Sequence, residues 1–372
     1  MKIEKVWDFN TNEQLLGVEL GNLTESNNKQ IITYSKSGKI LIFSLNGKLL
    51  FKDEITQNTP IWKAILYDID NDGKDELLLG GMDGLLRAFK YKNEFKLEPY
   101  WTHRFESSIG GILVDDINNN GIDEIISYSL DKSLRILNPL DGCLIWGQTF
   151  EEGIGDALIW RNSVDSNEIE VIACGNDGTI RIFDNISGEL LWFKQFSDKV
   201  RCLSYIDSYQ HDYIVCGGDD KKIHIIDKEK KEEIKTIETD DIVWKCLSFP
   251  PQRHNSLLVS TYSFEFLDKS IPINDIKFTS KIMCFNENFG VKWEYKNVNT
   301  EIISYIKMFE NNYIVIGTTR GYLMLLDEVN GKLLSQINNP SCLNGFDLDT
   351  DSKILITCHD DGYIYAFILD KK

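Results

Sequence analysis

The chain has 372 residues, of which 42% are hydrophobic and 11% aromatic, with a formal charge of −18. This is enough apolar material for a large core, and the acidic balance excludes nucleic acid or an anionic membrane surface as partner, since phosphate binding needs clustered Lys and Arg. No apolar run approaches the ~18 residues of a membrane span and MKIEKVWDFN offers no leader-like stretch, so we expect a cytoplasmic protein without membrane insertion.

From the amino terminus, KIEKVWDF alternates as one strand and carries Trp7. Residues 11–55 then hold the first of a series of similar units. In each, an apolar strand, a tight polar turn and an alternating strand (YSKSGKILIF from Tyr34) are followed by a second turn and strand (SLNGKLLF). Asp-Gly or Ser-Gly between alternating apolar runs is a hairpin signal, because glycine supplies the positive φ of the turn.

Residues 56–104 repeat the plan with GGMDGLLRAF and end near Trp101. Their first strand, IWKAIL, places Trp62 and Lys63 where the chain enters the innermost strand. It leads into Asp68-x-Asp70-x-Asp72-Gly73-x-x-Glu76. Residues 105–150 carry Asp116-x-Asn118-x-Asn120-Gly121-x-x-Glu124 at the same place, then YSLDKSLRIL and NPLDGCLIW with Trp146. Alternating oxygen side chains, a glycine for the bend and a carboxylate at the ninth position suit a hard cation, with the carbonyls of Lys74 and Ile122 as further ligands. Calcium is therefore the expected, structural cofactor, tighter in the first loop, which has four carboxylates, than in the second, which has two. The same residues also make sharp turns without any metal, by capping local backbone groups.

Residues 151–196 give CGNDGTIRIF and DNISGELLW, with Trp192. Trp101, Trp146 and Trp192 are spaced by 45 and 46 residues, the period of a propeller blade of four short strands. Residues 197–238 place Arg201 (VRCLS) in the slot of Trp62, and residues 239–297 place Trp244 and Lys245 (VWKCLS) there. Gly110 and Gly155 take the slot in the third and fourth units and are expected to leave room beside the aromatics. Trp and Arg are enriched at binding hot spots, so an acidic or aromatic-accepting peptide is the expected ligand of this rim.

The sixth unit also inserts FEFLDKSIPINDIKFT between LLVSTYS and SKIMCF. Phe264, Phe266, Leu267, Ile271, Ile273, Ile276 and Phe278 make it too apolar for a solvated loop, so it is expected to form an extra hairpin or contact a partner. Residues 298–338 form a seventh unit, and 339–372 an eighth with three strands only (CLNGFDL, KILITCH, GYIYAFI). Its outer strand is expected from residues 1–10, which closes the ring and removes an open sheet edge. The expected fold is thus all-β, a single β-propeller over residues 1–372 with eight four-stranded blades, or seven if the first unit is misread.

Arg87, Arg135, Arg181 and His224 recur at one position of the third strand and are expected to make structural pairs with acidic neighbours. The eight cysteines form no CxxC and are expected to be buried, reduced thiols. No Ser/His/Asp or Cys/His constellation with usable spacing emerges.

The DxDxDGxxE loop before ELLLGG resembles the FG-GAP repeats of integrin-type propellers and the amino-terminal propellers of BBSome-like cytosolic scaffolds. The elements around Asp177 to Trp192 resemble WD-repeat and quinoprotein-like blades. The resemblance implies a non-enzymatic scaffold that binds other proteins, within a larger complex or alone, on the face bearing the sixth-unit insertion. A quinoprotein-like dehydrogenase or a calcium-dependent adhesion module is the alternative it leaves open.

Overall fold

The computed structural model describes residues 1–24, 29–92, 96–162, 167–207, 211–249, 256–265, 277–297, 303–310 and 312–370. Its strands form eight four-stranded antiparallel sheets, and in seven of them the strands follow in chain order. The eighth is built from Lys2–Asn10, Tyr363–Asp370, Ile354–His359 and Leu343–Asp349, so the amino-terminal strand completes the last blade. The fold is an eight-bladed β-propeller closed in this way. Among the described residues no helix is long and apolar enough to cross a membrane, which says nothing of strands.

The strands cluster into two compact units, one of Met1–Ile154, Asn185–Gly188 and Ile337–Lys372, the other of Gly155–Asp184 and Glu189–Gln336. Within each, the core lies between neighbouring blades. Ile32, Ile40 and Ile42 of the first blade meet Ile61, Leu77 and Leu79 of the second, and Val215, Ile223 and Ile225 of the fifth meet Val243, Leu257 and Phe285 of the sixth. Second strands such as Glu76–Gly81 and Ile169–Gly175 are therefore buried along their whole length. A strand covered on both faces reads as an unbroken apolar run instead of an alternation, which is why ELLLGG and IEVIACG look as they do.

The outer-strand tryptophans tie a blade to the next. Trp101 donates its indole N–H to the Pro139 carbonyl (2.6 Å), and its ring lies against Gly142, where an added Cβ would come within 2.5 Å of the ring. Trp146 does the same with the Asn185 carbonyl and Gly188, Trp293 with Glu328 and Gly331, and Trp7 with Leu45 and Gly47. In these four turns the glycine is thus the seat of the preceding blade's tryptophan, whereas the fifth-blade turn that follows Trp192 has Lys231 in the glycine's place (φ +58°). In the fifth blade Lys235 takes the tryptophan's register position, opposite Ile225. The sixth-blade turn answers with Phe289 at φ +57°, and Lys235 Nζ donates to the Phe289 carbonyl (3.0 Å). Where the ring is missing, so is the glycine.

A β-bulge interrupts the first strand at one recurring slot: Leu16, Trp62, Gly110, Arg201, Trp244, Ser304 and Asn344. Bulges re-aim a side chain out of the pleat, and they account for the equivalence of the positions that the sequence pattern singles out.

Candidate functional site

Two sets of residues stand out, the acidic loops between first and second strands and the bulge slot at the opposite end of the strands. In the second blade, the loop follows Tyr67 and ends at Glu76, the residue opposite Tyr67 in the ladder. Asp68 shapes it: its Oδ1 accepts from the Asp72 N–H (3.0 Å) and its Oδ2 from the Gly73 N–H (2.8 Å). Gly73 adopts φ +86° with nothing within 4 Å of where a Cβ would stand, so here glycine serves the backbone alone. Asp72 Oδ1 accepts from the Lys74 N–H (2.9 Å), and Glu76 Oε2 from the Ile69 N–H (3.0 Å).

This folding brings Asp68, Asp70 and Glu76 together, with one carboxylate oxygen of each within 4.8 Å of the others. Glu76 is buried, and burial, reinforced by the charges of Asp70 and Asp72, pushes its carboxyl up to about 7. Asp70 Oδ1 is buried without a hydrogen-bond partner, while Asp70 Oδ2 meets the ammonium of Lys90. Among the described residues this is the one cluster of three or more acidic, His or Cys groups with metal-binding spacing. An unpartnered carboxylate oxygen beside two further carboxylates is a donor set that suits a hard cation.

The third-blade loop has the same backbone design with weaker chemistry. Asp116 accepts from the N–H groups of Asn120 (3.0 Å) and Gly121 (2.8 Å), and Asn120 Oδ1 from that of Ile122 (2.7 Å). Glu124 accepts from the Ile117 N–H (3.2 Å) and from the Asn118 amide. A donor thus faces Glu124 where a cation would need an acceptor, and only rotation of that amide would present an oxygen. In the eighth blade, Asp347 Oδ2 caps the Leu20 N–H (2.8 Å) and Asp349 pairs with Lys29 (2.8 Å).

Neighbouring residues that the sequence pattern passes over serve to join blades at this end. Asp75 accepts from the Asn22 N–H, Trp160 donates to Asp212 (3.0 Å), and the Tyr67 hydroxyl bonds Asp123. Burial first, and then that carboxylate, raise Tyr67 to about 12. Asp75 and Asp123 both directly precede the closing glutamate, a repeat that is visible in the sequence.

At the other end, the turn between second and third strands bonds the segment entering a first strand: Met82 N–H to the Pro60 carbonyl (3.0 Å), Asp219 N–H to that of Lys199 (3.0 Å). The recurring third-strand cations are paired with the turn aspartate four residues earlier, as expected: Arg87 with Asp83 (2.5 Å), Arg135 with Asp131 (3.4 Å), Arg181 with Asp177 (2.9 Å) and His224 with Asp220 (2.8 Å). Each aspartate also caps its own turn, for example Asp177 Oδ1 on the Thr179 N–H (3.0 Å).

Trp62 is 50% exposed in its bulge, and Lys63 beside it is exposed. Arg201 is held by Asp219 through both its Nε and its Nη2 (2.7 Å) and lies 5.6 Å from the Trp244 ring centre. Trp244 is half-buried, edge-on to Tyr262 at 5.2 Å, and Lys245 is exposed. The room expected beside the glycines is filled. A Cβ on Gly110 would meet the Tyr128 ring at 3.1 Å, and one on Gly155 the Val200 carbonyl at 2.7 Å.

The sixth-blade insertion begins as strand. Leu257–Glu265 and Lys277–Phe285 pair without interruption from Leu257 opposite Phe285 to Phe264 opposite Phe278 and Glu265 opposite Lys277. The Ser263 and Thr279 hydroxyls bond across it (2.7 Å). Phe264, Phe278 and Thr279 thus extend the hairpin, as aromatic and β-branched residues favour. Phe266, Leu267, Ile271, Ile273 and Ile276 lie outside the described residues. Of the cysteines, six are buried as expected, but Cys143 and Cys342 are exposed. The first lies in a turn whose backbone Asp141 caps, and the second just ahead of a first strand.

The chain is an eight-bladed β-propeller that resembles WD-repeat and FG-GAP-type domains. Residues 68–127 match the family model of the FG-GAP-like repeat, and residues 140–245 that of the lambda-carrageenase β-propeller domain. Among solved structures, the chain is similar to Sqt1 of Saccharomyces cerevisiae (10% identity, all of both chains covered, TM-score 0.77). It is also similar to BamB of Moraxella catarrhalis (14% identity, 99% of this chain and 100% of that one, TM-score 0.68) and to the WD40 β-propeller domain of Doa1 (15%, 99% and 97%, TM-score 0.56). At these identities the likeness carries the fold.

Proposed function

We propose that this propeller is a non-enzymatic, cytoplasmic docking scaffold for other proteins, alone or as a subunit of a larger complex. The observation that carries this reading is Trp62, half in water in its bulge beside Lys63. A large aromatic ring that the fold re-aims outward and leaves uncovered is the usual anchor of a protein interface. The recurring cations of this rim are engaged by their own aspartates, and Arg201 by Asp219. The partner segment is therefore one that accepts an aromatic ring, with acidity a lesser requirement than the sequence pattern suggests. Residues 266–276, beyond the extended sixth-blade hairpin, supply further apolar anchors in this reading.

The acidic loops have a structural part in the same proposal. Asp68, Asp70, Asp72, the Lys74 carbonyl and Glu76 hold calcium, and Asp116, Asn118, Asn120, the Ile122 carbonyl and Glu124 hold it more weakly or not at all. Bound calcium would offset the charge of the clustered carboxylates and fix the first strand to the second.

Affinity capture tests the docking face, with the intact protein beside Trp62→Ala and beside a variant whose residues 266–276 are replaced by an Asp-Gly turn. The expected result is a protein retained by the intact chain and lost or weakened by at least one variant. Identical capture by all three would sink the assignment of the face. Melting in calcium against chelator tests the loop, and an unchanged midpoint would remove the metal from the proposal.

A further inference from the structure

Lys90 lies in the third strand of the second blade, Leu85–Lys92, one residue beyond the Phe89–Leu77 pair and so level with Glu76. Its ammonium reaches Asp70 Oδ2 and stands 4.4 Å over the Tyr100 ring, while Asp70 Oδ1 has no partner. A cleft of about 420 Å³ lined by Asp72, Glu76, Lys90 and Glu98 opens beside the pair. We infer that Lys90 is the resident cation of the Asp68 loop and that calcium enters only by displacing it, an inference that rests on the calcium reading above.

The same device recurs where the motif has decayed. In the eighth blade, which has Ser352 for the glycine and Leu355 for the closing carboxylate, Lys29 pairs with Asp349 (2.8 Å). In the fourth, Glu170 stands three residues before the partner of Arg181 in the ladder, as Glu76 stands three before the partner of Arg87, and Lys228 pairs with it (3.1 Å). The third blade puts Asn138 level with Glu124 and has no ammonium there; the Asn118 amide donates to Glu124 instead. The second blade thus combines the fullest carboxylate set with a lysine. An ammonium on Asp70 Oδ2 and a calcium ion on its Oδ1 would stand side by side on one carboxylate, and at such a distance their repulsion is strong even at a partly exposed site. The lysine holds the loop in shape without metal and lowers its affinity for metal.

The test uses the full chain, Lys90→Met, and the double variant Lys90→Met/Asp70→Asn, with calcium chloride titrated in a calorimeter and melting followed in chelator and in excess calcium. Methionine keeps the apolar stem against Tyr100. Lys90→Met is expected to bind calcium at least about tenfold more tightly than the native chain. Its midpoint should be lower than native in chelator and recover in calcium. The double variant should regain its chelator stability and lose the gain in affinity. Equal calcium affinity for the native chain and Lys90→Met, with equal midpoints in chelator, overturns the inference while leaving the calcium reading intact. No calcium binding by either chain overturns the calcium reading and the displacement with it. A chelator midpoint lowered by Lys90→Met and restored by Asp70→Asn then separates that case, in which Lys90 replaces the metal outright.

Discussion

Replacing Gly142 by alanine tests how the blades are joined. Gly142 sits at φ +69°, and its added Cβ would lie 2.5 Å from Cε3 and 2.8 Å from Cδ2 of Trp101. The left-handed backbone alone costs an alanine about 1–2 kcal/mol. Relieving the clash moves the indole off the Pro139 carbonyl, and leaving that acceptor unpaired costs about 1–3 kcal/mol more. The expected loss is therefore about 2–5 kcal/mol, comparable to the roughly 3–5 kcal/mol of deleting a buried tryptophan outright. Gly73→Ala is the control. Its φ is +86° but nothing lies within 4 Å, so only the backbone share of about 1–2 kcal/mol applies. In a Trp101→Ala background, Gly142→Ala should likewise fall to that share, giving a coupling of about 1–3 kcal/mol. Equilibrium urea unfolding followed by both far-ultraviolet circular dichroism and fluorescence measures these values, provided the two transitions coincide. If Gly142→Ala costs no more than Gly73→Ala, or adds independently to Trp101→Ala, the ring is not seated on the glycine and the reasoning fails.

Two further outcomes are expected. Burial disfavours a charged His224, but its bonds to Asp220 and Glu233 outweigh this and raise it above its ordinary 6.5, while Glu233, against the opposing effect of its partial burial, is drawn down to about 2 by Thr236, His224 and Lys194. The histidine's contribution is fully present below 6.5 and fades as pH rises through its folded value, whereas that of Glu233 is lost as pH falls from 4.5 towards 2. His224→Gln should thus cost about 1.5–3 kcal/mol near pH 6 and progressively less in alkaline buffer. Urea midpoints across pH check this, and a cost that does not change with pH would refute it. A thiol reagent should titrate two cysteines of the native protein quickly, Cys143 and Cys342, and all eight only after unfolding. Burial pushes the thiols of Cys174 and Cys216 well up, and Cys284 to about 11, so prompt reaction of more than two would mean that the blades open.

Much of the fold is local and could be read from the chain. Asp-Gly turns, runs such as ELLLGG and tryptophans at a blade's period depend on backbone preference and two-sided burial, which neighbours in sequence already encode. Closure by residues 1–10 followed from the missing eighth-blade strand, and Trp7 on Gly47 repeats the contact of the inner blades. The metal-like loops were legible for the same reason, since Asp68 through Glu76 fold on themselves.

What lay beyond the sequence is what neighbouring strands and blades supply. Lys90 comes from a strand two removed from Asp68, and its ammonium offsets part of the loop's charge through Asp70. Arg201 looks like a free hot-spot cation until the second-to-third-strand turn of its own blade brings Asp219 onto it. Phe289 and Lys235 make sense only as a pair, because Lys235 stands where other blades have the tryptophan and Phe289 where the next turn has the glycine that seats it. Turn and strand type are decided by each residue's own conformational cost, whereas which charges remain available to a ligand is decided by contacts across the sheets, where pairing follows distance in space and not in sequence.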